Sequence, residues 1–304
     1  MAWELEFDRW AAEMLPGLEV RIDEPMSRHC SFRTGGGAKR MAFPKTVEEV
    51  SAVMEAAEKF DARPFVLGNG TNVLFPDEGL DRLVVNLTQL RHLAAGEDHI
   101  ITAQAGLSLA RLADFACQKG LAGLEFAHGI PGSLGGAVYM NGGAYGGEMS
   151  QVLKSVKAWF PGEGVREMMV EELDMSYRHS FFMDHPEAVI LEATVSLTPG
   201  EEETIRAAMR ELMARRKASQ PLEYPSAGST FKRPTGYFAG TLIDQCGLKG
   251  LTVGGAQVSE KHAGFIINIG GATSSDVTEL MAQVQKIVWE RKGVRLEPEV
   301  RVIR

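Results

Sequence analysis

"GIPGSLGGAVYMNGGAYGG", residues 129–147, holds eight glycines in nineteen positions, where 33 glycines in 304 residues would place about two. Each glycine costs backbone entropy on folding, so a compact domain keeps such a run only where something must approach the backbone closely or where φ must be positive. Ile130, Leu134, Val138, Tyr139 and Met140 are interleaved with the glycines and would be poorly placed in water. The stretch therefore reads as an interior wall with exposed amides, and a bound molecule is the natural neighbour.

A second glycine loop lies upstream. "LGNGTNVLF" (67–75) joins two apolar runs, and the consecutive amides of Gly68, Asn69 and Gly70, with the Thr71 and Asn72 side chains, can form a concave donor nest for a pyrophosphate. Taken alone, this loop also fits a plain strand-to-strand turn. Two such loops in one domain point to a large flat cofactor with a diphosphate. Several chemistries are disfavoured, because the chain lacks G-x-x-x-x-G-K-[ST], a complete G-x-G-x-x-G, H-E-x-x-H, and a G-x-S-x-G after a strand. No metal site is expected, since Cys30, Cys117 and Cys246 are widely spaced and the seven histidines show no paired ligand spacing. The cysteines read as buried free thiols.

The surrounding pattern is α+β. Helices are expected at 46–60, where Thr46 and Glu49 have capping-box spacing, at 108–120 and at 273–293. Strands are expected at 64–68, 72–75, 82–87, 99–106, 152–160, 165–170 and 187–197, then near 253–258 and 264–269, and last at 294–303. The polar turn at 198–203 leads into a charged helix and is read as a domain boundary. The expected division is therefore between residues 1–200 and 201–304. The N-terminus is a short acidic amphipathic helix without the basic start of a signal peptide, and no window holds about 18 consecutive apolar residues. With 40 acidic against 32 basic residues and net charge −8, neither nucleic acid nor a membrane is an expected partner, and the expected setting is the cytoplasm.

Three further stretches could carry chemistry. "PSAGSTFKRP" (225–234) is a small-residue turn with Ser229 and Lys232; "YRHSFF" (177–182) offers Tyr177 and the planar fork of Arg178; "LEPEVRV" sets Glu297 and Glu299 on one strand face. Each alone is more often a turn, a brace or a solvated edge.

Together, and in this order with "GTLIDQCGLKG", these motifs resemble the UDP-N-acetylenolpyruvoylglucosamine reductase family over about Phe32 to Arg301. The resemblance implies the FAD-binding fold of the vanillyl-alcohol oxidase type over 1–200, in two lobes split near 60–65, followed by the smaller α+β substrate domain over 201–304. It implies noncovalent FAD, reduced by NADPH, and reduction of the enolpyruvyl ether of UDP-N-acetylglucosamine to UDP-N-acetylmuramate for peptidoglycan synthesis by a cytoplasmic monomer. It places FAD against Gly68, Asn69, Gly70, Thr71 and Asn72, and along Gly129, Ile130, Pro131, Gly132, Ser133, Gly135, Gly136, Ala137 and Asn141. It makes Ser229 the proton donor, Arg178 and Glu299 the groups that steady the intermediate, and Tyr177, Lys232 and Arg216 contacts of the UDP-sugar. The short 178–188 stretch resembles the compact subtype without a tyrosine-bearing insertion. A flavin oxidase of the same fold would instead need a base such as His128 or His179, and a nucleotide-sugar binding protein would keep the loops but consume no NADPH.

Overall fold

The computed structural model describes residues 2–304. The chain forms two compact units: residues 1–22, 40–69 and 82–215 make the first, and 23–39, 70–81 and 216–304 the second.

The first unit is built on two sheets. One has the order Glu19–Pro25, Gly37–Phe43, Leu80–Asn86, Phe65–Leu67, with Phe65–Leu67 parallel to Leu80–Asn86. The other is antiparallel throughout, in the order Gly164–Met169, Leu153–Phe160, Val189–Ser196, Ile100–Gln104, Leu93–Ala95. Its central strand Val189–Ser196 is buried at most positions, which matches its largely apolar sequence. The change of sheet falls between residues 86 and 93, so the two-lobe division expected near 60–65 instead cuts the first sheet, where Phe65 pairs with Val84.

Helix Val47–Lys59 starts as its sequence requires. Thr46 Oγ1 accepts from the Glu49 amide at 3.1 Å, and the Glu49 carboxylate takes the Lys45 amide at 2.6 Å. Val50, Val53, Met54, Ala56 and Ala57 form its buried face. Helix Leu109–Gln118 is capped by Ser108 and followed by Gly120 at φ +65.

The expected cut at 200/201 is displaced. Thr198–Pro199 pairs with Leu121–Ala122, and Ile205 and Met209 of helix Glu202–Ser219 are buried in the first unit's core. The helix thus stays with the first unit as far as Arg215.

The second unit holds an antiparallel sheet of Thr252–Val253, Ala256–Val258 and Ile266–Asn268 with helices Ala239–Gln245 and Ser274–Lys292. Segment 70–81 joins it because Val73–Leu74 pairs in parallel with Arg301–Val302. Only those two residues of the expected strand 294–303 are in regular pairing, with an isolated bridge from Phe231 to Pro298, which has no amide to donate. The same segment grips the start of the long helix: Asp77 accepts from the amides of Ser274 at 2.7 Å and Ser275 at 2.9 Å. Partial desolvation opposes ionisation of Asp77, but these amides and the Ser275 hydroxyl hold its carboxyl below the usual range.

A folded-state pKa below the unfolded one contributes stability above about pH 4, lost as pH falls through the folded value. Asp77→Asn is therefore expected to lower the unfolding midpoint at pH 7, with the gap from wild type closing as pH falls below about 4. Thermal melts of both proteins across that range check this; a constant gap would mean that the carboxylate charge is not what matters.

No helix of the described residues is long and apolar enough to cross a membrane. The three cysteines are buried and free.

Candidate active site

The two glycine loops meet, and the glycines are what let them. A Cβ on Gly68 would lie 2.2 Å from Ser133 Oγ, and Asn69 Nδ2 donates to the Pro131 carbonyl at 3.3 Å. Gly70, at φ +62, would bring a Cβ to 1.9 Å from the His29 carbonyl. Downstream, Ser133 Oγ caps the short helix Leu134–Tyr139 by accepting from the Gly136 amide. The amides of Leu134 and Gly135 donate to Leu107 and Ala105, and Gly132 accepts from Leu109, which fixes 132–135 along residues 105–109. Gly135 has no room for a side chain, since a Cβ would sit 2.8 Å from that of Ala105. Gly129 lies in the turn before Ile130, whose amide returns to Ala127; Ala137 is buried and Gly136 exposed.

From Tyr139 onward the same stretch serves a different neighbour. Asn141 is fully buried, at φ +43; its Oδ1 accepts from the Ser150 amide at 2.9 Å, and its Nδ2 donates to the Ser176 carbonyl at 3.0 Å. Both ends of its carboxamide bond within the protein. Ser176 and His179 exchange backbone hydrogen bonds at 3.2 and 3.1 Å, making a tight hairpin with Tyr177 and Arg178 at its tip. Arg178 has φ +57, an uncommon conformation for a residue with a side chain and one that gathers at functional sites. Its guanidinium donates to the Gly143 carbonyl at 3.3 Å and lies 5.2 Å from the centre of the half-exposed Tyr177 ring. His179 is held between Asp174 and Asp184, and His128 sits 3.5 Å from Asp114.

In the second unit, Ser229 and Glu299 are brought together through Thr230. The Thr230 carbonyl accepts from the Glu299 amide at 2.8 Å, so Glu299 lies across from the residue that follows Ser229. Thr230 is itself fully buried, its amide donating to Gly264 and its hydroxyl accepting from the Ile266 amide. Ser229 is exposed, next to Gly228 at φ +74. Behind Gly264, burial lowers the pKa of His262, and its unprotonated Nδ1 accepts the Gly264 amide at 3.1 Å. Lys232 donates its backbone amide to the Glu297 carbonyl and pairs its ammonium with the Glu297 carboxylate at 2.5 Å. Glu297 is thus this lysine's partner. Asn72, expected at the diphosphate, clasps Glu299: its Nδ2 donates to the Glu299 carbonyl at 2.9 Å, and its own carbonyl accepts from Arg301. Thr71 is half-buried beside it, and Arg216 is half-buried on the last turn of helix Glu202–Ser219.

One set of residues escaped the sequence reading. "TGGG" (34–37) packs against the segment after the first glycine loop: a Cβ on Gly35 would lie 2.7 Å from that of Phe75, and one on Gly36 2.4 Å from the Asp77 carbonyl. Three successive glycines were the available signal.

Residues 38–168 match the family described as FAD binding domain, and residues 220–303 match that described as UDP-N-acetylenolpyruvoylglucosamine reductase, C-terminal domain. The reductase of that name from Clostridium perfringens is 45% identical over 299 residues, 98% of each chain. That from Limosilactobacillus reuteri is 46% identical over 288 residues, 95% of this chain and 96% of the other. The chain belongs to the UDP-N-acetylenolpyruvoylglucosamine reductase family. The crystal structure of a family member from Thermus caldophilus superposes with a TM-score of 0.79 at 34% identity, covering 94% of this chain and 99% of that one. The fold is therefore the α+β FAD-binding type of this reductase family.

FAD, which the family's first domain binds, has a fitting seat. Among the described residues, the amides of Asn69, Gly70 and Thr71 meet no acceptor within the chain, and Gly70 is buried. Consecutive donors without internal partners suit a diphosphate.

Proposed function

We propose that this chain is the NADPH-dependent flavoenzyme that converts UDP-N-acetylglucosamine enolpyruvate to UDP-N-acetylmuramate. The observation that carries this reading is the likeness to the reductases over both halves, at 45% identity and 98% coverage. Substrate, NADPH and one proton become UDP-N-acetylmuramate and NADP⁺. The reading places the enzyme in the cytoplasm as a monomer, supplying precursor for cell-wall growth, shape and division.

The two glycine loops would hold the cofactor, and Tyr177, Lys232 and Arg216 would receive the UDP-sugar. FAD held by these loops, with NADPH as reductant, would supply the hydride chemistry needed at C3 of the enolpyruvyl group. Negative charge then builds at C2 and on the carboxylate, where preorganised donors lower the barrier. Arg178 offers two parallel N–H groups to that carboxylate. Glu299 helps only while protonated or sharing a proton, since a second free anion would repel the developing charge. Ser229 gives the proton to C2 from one face. The exposed Ser229 hydroxyl beside the anchored Thr230 supports this role, as does the backbone link from Thr230 to Glu299. Family membership weighs against the oxidase and the non-catalytic reading.

The test is a visible spectrum before and after NADPH, followed by addition of the UDP-sugar. A yellow protein bleached by NADPH and recoloured by the enolpyruvyl substrate is expected. Acid denaturation should release all the flavin to the supernatant, because amide donors rather than a covalent bond hold it. Flavin left on the pellet would overturn noncovalent binding, and NADPH consumption without the substrate's help would favour an oxidase.

A further inference from the structure

Residues 129–147 divide at the end of the short helix Leu134–Tyr139. Before it, Pro131 and Ser133 face Asn69 and Gly68. After it, three hydrogen bonds run to the hairpin that carries Arg178: Ser180 Oγ to the Tyr139 carbonyl at 2.5 Å, Asn141 Nδ2 to the Ser176 carbonyl at 3.0 Å, and Arg178 Nη2 to the Gly143 carbonyl at 3.3 Å. Ser180 and Asn141 are fully buried. The Asn141 carboxamide uses both ends, one to accept from Ser150 and the other to donate to Ser176. Only an amide side chain has a donor and an acceptor so arranged, and asparagine tolerates φ +43 better than most residues.

We infer that Asn141 is a positioning residue for Arg178, acting through Ser176, and that its side chain is not a ligand of the cofactor. The path is short. Asn141 fixes the Ser176 carbonyl; Ser176 closes the hairpin with His179; the hairpin holds Arg178 at φ +57; and the Arg178 head returns to Gly143, two residues from Asn141. Both the backbone and the guanidinium of Arg178 are thereby referenced to one loop, which can set the fork's angle toward a carboxylate. Loss of the Ser176 anchor would let the hairpin tip shift, and a displacement of about 1 Å at a reacting centre can cost about 10²-fold. This inference rests on the role proposed above for Arg178.

The experiment is a double-mutant cycle on purified holoenzyme. Asn141→Gly keeps the positive φ and removes both bonds; Asn141→Asp keeps the acceptor for Ser150 and loses the donor to Ser176, and carries the same comparison if the glycine variant does not fold. Both are expected to retain wild-type flavin content while reoxidation by the enolpyruvyl substrate slows by about 10²-fold. In an Arg178→Ala background the same change should add less than about twofold, because coupled residues are not additive. Flavin content that falls with Asn141→Asp would make the side chain a cofactor ligand and overturn the inference. So would near-normal reoxidation, or a full additional loss on top of a slow Arg178→Ala. A wild-type rate for Arg178→Ala would overturn instead the role of Arg178, and the inference with it.

Discussion

Arg178→Lys is expected to slow reduction of the enolpyruvyl substrate by about 10²- to 10³-fold, the loss seen when one preorganised donor to a developing anion is removed. The charge is kept, so the effect isolates geometry. The arginine donates one N–H to the Gly143 carbonyl and lies 5.2 Å from the centre of the Tyr177 ring, contacts that fix the plane of its fork. A lysine ammonium is a point charge on a flexible stem and cannot serve Gly143 and both carboxylate oxygens together. The backbone has no reason to move, since lysine and arginine meet the same cost at φ +57 and the Ser176–His179 bonds do not involve the side chain. Flavin content and unfolding midpoint should therefore match wild type while substrate reduction falls. Near-normal turnover would make Arg178 a structural brace for the loop.

Much of this arrangement was legible in the chain, and the parts that were not share a cause. Helix starts announce themselves locally: Thr46 and Thr273 cap the helices whose third residues they bond, and Gly293 ends the last helix at φ +65. The strand Val189–Ser196 reads as an apolar run because Val189, Ile190, Leu191, Ala193 and Val195 are buried. The strand Glu19–Pro25 gave no such signal, since only Glu24 in it is buried. The glycine stretch declared that space was short but not who fills it. Gly147 yields to the Phe126 ring, Gly135 to Ala105 and Gly68 to Ser133, contacts that sequence spacing cannot show. The side-chain partners of the asparagines were illegible for a related reason. A carboxamide in a glycine loop suits a diphosphate and a buried carbonyl equally, and only the fold turns Asn141 to Ser176 and Asn72 to Glu299. A reading in contiguous blocks likewise could not anticipate that residues 70–81 join the second unit, with Val73–Leu74 paired to Arg301–Val302.

The sharpest expected result is that Ser229→Ala separates the two half-reactions. Reduction of the bound flavin by NADPH needs no proton from Ser229, so its rate should stay near wild type. Reduction of the enolpyruvyl substrate needs a proton at C2, and loss of a general acid should slow that half by about 10²- to 10⁴-fold. The local structure makes the change clean. Ser229 is exposed, whereas the anchors of its loop belong to its neighbour: the Thr230 amide on Gly264, the Thr230 hydroxyl on Ile266, and the Thr230 carbonyl on Glu299. Alanine at 229 disturbs none of these, so the variant should fold, bind flavin and keep Glu299 in register. Stopped-flow bleaching by NADPH and recolouring by the UDP-sugar measure the halves separately. If Ser229 only shaped its turn, the variant would lose stability or substrate affinity while the rate at saturating substrate held. Equal slowing of both halves, or normal turnover, would remove Ser229 as the proton donor.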